Sequence, residues 1–96
     1  MLFALICTDK PGHLQLRIDT RPAHLEWLKS LGADTKAAGP FLGEDGKPCG
    51  SLVIIAADDL PAARALAAGD PYAKAGLFAT VDIRPWNWLV KNPEAP

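Results

Sequence analysis

Leu2-Phe3-Ala4-Leu5-Ile6-Cys7-Thr8 is the stretch that decides the fold. Apolar side chains occupy both alternating faces, which in a strand means that both faces are covered. Asp9-Lys10-Pro11-Gly12 closes it as a turn. The pattern returns in Ser51-Leu52-Val53-Ile54-Ile55-Ala56-Ala57, so these two strands are expected at the centre of one sheet. His13 to Leu31 has the period of a helix, interrupted at Pro22 and stopped at Gly32. A proline inside a helix removes a donor and crowds the preceding turn, so two helices or one kinked helix are predicted. Thr35 to Leu42 reads as a strand whose Gly39-Pro40 marks an edge. Gly43 to Pro48 is a polar hairpin loop. Asp58 or Asp59 caps a further helix that has Pro61 in its first turn and ends near Ala68-Gly69. Asp70 to Gly76 adds one helical turn. Leu77 to Pro85 is a fourth strand with one face more buried than the other. Strand, helix, strand, strand, helix, strand is the ferredoxin-like βαββαβ order: an α+β fold with an antiparallel sheet and helices on one face.

Ninety-six residues make one domain, 1–96, with a C-terminal tail at 85–96. Two helices cover only one face of such a sheet. The other face keeps half of each two-sided strand, an apolar area of several hundred Å². A homodimer through this open face is expected, with Trp86–Val90 joining the contact. The net charge of -1 gives no basic surplus for phosphate backbones, which argues against nucleic acid as a partner. Leu2–Cys7 is too short to span a bilayer and lacks the basic start of a signal peptide, so no membrane partner and a cytoplasmic location are expected. Cys7 and Cys49 lack metal-ligand spacing and read as free thiols; the sequence leaves open whether they approach closely enough to pair. No glycine-rich phosphate loop and no ligand cluster is present, so neither cofactor nor metal is expected.

This topology gathers Asp9, Arg21, His24, Gly39-Pro40, Ser51, Asp70 and Tyr72 near one end of the sheet, the usual form of a pocket. His24 shares a helix face with Trp27, Leu28 and Leu31, and a stripe of Leu14, Ile18, Leu25 and Leu28 is expected if the register survives Pro22. Taken singly, each polar residue has a structural explanation. Asp70 before Pro71 is a good N-cap. Tyr72 suits a core, and Arg17 and Arg21 suit a solvated helix surface. Taken together, they form a candidate site. Asp70 accepting a hydrogen bond from one ring nitrogen of His24 fixes the tautomer and strengthens the other nitrogen as a base. Arg21 is the candidate anchor for an anionic group, with Ser51, Tyr72 and Asp9 as further substrate-binding residues. Ser51 lacks the nucleophile elbow of a Ser-His-Asp hydrolase.

Read in order, Asp9-Lys10-Pro11-Gly12, Arg17, Arg21-Pro22-Ala23-His24-Leu25, Ala38-Gly39-Pro40, Gly50-Ser51, Asp70-Pro71-Tyr72, Ala75-Gly76-Leu77-Phe78 and Pro85-Trp86 resemble the YCII-related (YciI-like) family along nearly the whole chain. The resemblance implies a ferredoxin-like domain, a dimeric α/β barrel, and an active-site pocket with a His–Asp pair at His24 and Asp70. Chlorinated-aromatic dehydrochlorinases in the family, and muconolactone isomerases in the wider fold, imply proton abstraction or elimination on a small organic acid. The leading expectation is therefore a cofactor-independent enzyme in which His24 and Asp70 carry out acid–base chemistry: isomerisation, elimination or hydrolysis. The alternatives are a non-catalytic module for a small acidic metabolite and a dimerisation domain.

Overall fold

The structure, a computed structural model, describes residues 1–95. Its strands are β1 (Leu2–Asp9), β2 (Thr35–Leu42), β3 (Pro48–Ala56) and β4 (Phe78–Trp86), and its helices are α1 (Leu14–Ser30), α2 (Leu60–Ala68) and α3 (Pro71–Lys74). They form one antiparallel sheet in the order β2-β3-β1-β4. The α+β class and ferredoxin-like order match the expectation. β1 and β3 are central because only two-sided apolar strands are stable there, and Pro40 lies on the β2 edge, where a missing N–H costs least.

Register assigns the faces. Cys7 pairs with Ser51, Leu5 with Val53 and Phe3 with Ile55, and these residues form the helix-side core with Ala63 and Ala67 of α2. Ala4, Ile6, Ile54 and Leu52 lie on the opposite, open face. Gly50 permits the close approach of β3 to β1: a Cβ there would sit 2.5 Å from the Cys7 carbonyl oxygen. The tail leaves β4 at one edge, and Glu94 reaches Lys36 of β2 at the other with a 2.9 Å ion pair. It therefore spans the width of the sheet. At that end Ala4 and Ile54 are buried, whereas Leu52 and Phe41 remain 37% and 40% exposed.

Three local expectations change. Pro22 does not divide α1, which runs unbroken with the proline on its exposed side. Gly32 stops α1 as expected: it follows the Leu31 cap in the left-handed conformation, with φ 57°, and starts a 3-10 turn. Ile18 and Leu25 are exposed rather than part of a core stripe, and Arg17 and His24 are the buried residues of α1. β4 is an edge strand, so Val81 is exposed and only Phe78 and Ile83 are half-buried. Asp59 caps α2 by accepting from the Ala62 N–H, as a helix start requires.

Candidate active site

Arg17, Arg21 and His24 are spaced i, i+4 and i+7 on α1, so they share one face. That face looks across a cavity of about 310 Å³ towards β2 and β3, within the range of small-molecule sites. Ile18, Leu25 and Leu28 supply apolar wall from the helix, and Ala38, Gly39 and Pro40 supply it from the edge strand. Ser51 and Tyr72 complete the polar lining.

Asp70 Oδ1 lies 2.8 Å from His24 Nδ1 and also accepts the backbone N–H of Tyr72 at 2.9 Å. The capping and histidine-pairing explanations of Asp70 thus hold together, through one oxygen. Because a carboxylate accepts, Nδ1 carries the proton, which leaves Nε2 without a protein partner among the described residues. Both side chains are buried, at 9% and 4% exposure. The imidazole stacks on Tyr72 with centroids 4.1 Å apart and planes 19° apart.

Arg17 is not a solvated helix charge. Its Nε donates to Asp9 Oδ2 at 2.6 Å, and Nη2 donates to Asp9 Oδ1 at 2.9 Å and to Ser51 Oγ at 2.8 Å. Its guanidinium carbon lies 4.5 Å from the centre of the Tyr72 ring. Burial opposes the Arg17 charge, but the Asp9 carboxylate outweighs it and holds the guanidinium protonated. Burial pushes the Tyr72 phenol up as well, so it stays neutral. Asp9 does not line the cavity: it is bound to Arg17 and reaches the site only through that residue. Arg21 lines the cavity from an exposed position and has no acidic partner among the described residues. Sequence reading did not select Arg17 as a site residue. The available signal was its position seven residues before His24, on the same helical face.

Cys7 and Cys49 are both free. Burial, then the nearby Asp70 carboxylate, pushes the Cys7 thiol from its ordinary 9.0 up to about 12, while Cys49 is exposed. One thiol per chain is therefore expected to react with a thiol reagent in the native protein and two after unfolding; two fast native thiols would contradict this burial. The folded chain holds the Cys7 proton more tightly than the unfolded chain. That stabilisation is complete below pH 9 and is lost as pH rises towards 12. Melting temperature is expected to fall over that range, and less steeply in Cys7→Ala.

The family model of the YCII-related domain matches residues 1–87, nine-tenths of the chain. The chain belongs to the YCII-related family. Protein YciI of Escherichia coli is 35% identical over 94 residues, covering 90% of this chain and 96% of that protein. Among solved structures, the YCII-related fold here is similar to a 5-chloro-2-hydroxyhydroquinone dehydrochlorinase, TftG of Burkholderia phenoliruptrix, in complex with 2,5-dihydroxybenzoquinone. That structure is 38% identical, with a TM-score of 0.84, over 91% of this chain and 94% of its own. An antibiotic biosynthesis monooxygenase-type structure from Bacteriodes thetaiotaomicron, at 14% identity and TM-score 0.58, covering 94% of this chain and 90% of its own, shares the fold alone. No helix among the described residues is long and apolar enough to cross a membrane.

Proposed function

We propose that this YCII-related chain is a cofactor-independent enzyme in which His24, oriented by Asp70, exchanges a proton with a small organic acid. The observation that carries the reading is the buried bond between Nδ1 and Asp70, which leaves Nε2 as the free nitrogen of a residue lining the cavity. Elimination is the favoured reaction because the similar TftG structure is named a dehydrochlorinase. In a chlorinated hydroquinone a hydroxyl loses its proton as the chlorine-bearing ring carbon gains one from the imidazole, giving a keto tautomer. A second hydroxyl then gives up its proton, its electron pair passes through the ring, and chloride leaves with the C–Cl pair. No net oxidation occurs, so the residues alone supply the chemistry. Arg21 holds the substrate's anionic group, and the apolar walls exclude water. The test is chloride release from 5-chloro-2-hydroxyhydroquinone, the compound in the TftG name, by wild type and by His24→Ala. Full activity in the variant would overturn the reading.

A second reading, a binding module for a small acidic metabolite, rests on Arg21, a cation without an acidic partner at an apolar cavity. A ligand recovered chemically unchanged after long incubation would favour it.

The working unit is proposed to be a homodimer through the open sheet face. Leu52 and Phe41 there, with Leu89 and Val90 of the tail at 82% and 70% exposure, form apolar surface that a second copy would bury. Light scattering is expected to give twice the 10.2 kDa chain mass, and a monomer would contradict it.

A further inference from the structure

Arg17 carries more donors than its protein partners use. A guanidinium has five N–H groups in a fixed fork. Three are taken by Asp9 and Ser51; of the remaining pair, on Nη1, the Tyr72 hydroxyl can accept only one. Yet Arg17 is only 5% exposed, and what exposure remains belongs to a residue lining the cavity. Ser51 is in the same position. Its Oγ accepts from Arg17, its own O–H has no acceptor among the described residues, and it is 3% exposed in the same lining. A hydroxyl proton and a guanidinium edge left over at a cavity wall can donate to a bound molecule, so the cluster points to a ligand oxygen.

Charge narrows the kind of oxygen. The Arg17–Asp9 pair is neutral as a unit, whereas Arg21 is the cation without an acidic partner. A full carboxylate is served by Arg21. The donors of Arg17 and Ser51 suit an oxygen that is neutral in the bound substrate and gains charge during reaction, because fixed dipoles in a dry site stabilise developing charge most. Ser51 is also poorly placed for nucleophilic attack, since a cation donates to its oxygen and no base among the described residues accepts its proton.

The Tyr72 ring sets the spacing. His24 stacks on it at 4.1 Å, and the Arg17 guanidinium carbon lies 4.5 Å from the same centroid. Both groups therefore contact the same ring, which places base and donors beside one another at the cavity wall. We propose that Arg17 Nη1 and Ser51 Oγ form an oxygen-binding subsite for a carbonyl or phenol conjugated to the carbon with which His24 exchanges a proton. When the C–H bond breaks, Nε2 keeps the proton, and the electron pair moves into the conjugated system and onto the held oxygen. It returns when the carbon is reprotonated or when a leaving group departs with its own pair. Asp9 is a positioning residue, because it holds the fork without touching the cavity.

The subsite's chemical role rests on the acid–base reading, so its test is a binding measurement that needs no turnover. The probe is 4-nitrophenol, whose phenolate absorbs in the visible. Wild type is expected to bind it as phenolate at a pH where the free compound is still largely protonated. Ser51→Ala and Arg17→Lys are expected to weaken phenolate binding about ten- to hundredfold, the loss typical of a charge-assisted hydrogen bond, with circular dichroism checking their fold. His24→Ala is expected to keep the phenolate signal. No phenolate bound to wild type would overturn the subsite. A signal lost in His24→Ala and kept in Ser51→Ala would overturn it too, by placing the oxygen at the imidazole. If His24→Ala binds nitrophenolate normally and also retains full turnover, the acid–base reading fails and the subsite stands.

Discussion

His24→Ala is expected to lower turnover by about 10²–10⁴-fold, the usual contribution of a positioned general acid or base. Affinity for substrate should change much less, because Arg21, the apolar walls and Tyr72 remain. Asp70 allows a finer experiment. One of its oxygens accepts from both the Tyr72 N–H and His24 Nδ1. In Asp70→Asn the amide oxygen accepts the same two bonds, so the α3 cap and ring orientation are kept while the negative charge is lost. Turnover is expected to fall with little loss of stability. Asp70→Ala removes the cap as well and is expected to cost a further ~1 kcal/mol. Nitrogen NMR of the imidazole gives a check that needs no substrate: the neutral ring should carry its proton on Nδ1 in wild type. A proton on Nε2 would remove the base from the cavity and sink the mechanism.

Arg17→Leu is expected to destabilise the chain by about 3–5 kcal/mol, from leaving a buried carboxylate uncompensated. The Arg17 and Asp9 side chains are 6% and 7% exposed, so solvent screens little of the pair. Against a typical total of about 5–15 kcal/mol this is a large fraction. Arg17→Met combined with Asp9→Leu should recover most of the loss, because it removes both charges and refills the volume. Urea unfolding of Arg17→Met, Asp9→Leu and the double variant measures the coupling. A single-variant cost under about 1 kcal/mol, the range of an exposed ion pair, would contradict the buried geometry. Recovered stability without nitrophenolate binding in the double variant would separate the stabilising role of Arg17 from its role at the cavity.

The sequence alone determined the sheet. Leu2–Thr8 and Ser51–Ala57 are apolar on both sides, so they had to be central, and Gly39-Pro40 had to be at an edge. The order of elements then followed from chain connectivity. His24 and Asp70 were legible as neighbours because the topology returns the chain after α2 to the same end of the sheet. Tertiary structure decided the rest. A charged residue on an amphipathic helix reads as solvated until a partner from another element is placed beside it, and Asp9 and Ser51 reach Arg17 only once β1 and β3 have paired. Pro22 reads as a break until its side of the helix is seen to face solvent, where one missing hydrogen bond is tolerated. Local pattern sets what each segment becomes. Which polar groups share an oxygen, and which are left over for a ligand, depends on distances between segments far apart in the chain, and only folding fixes those.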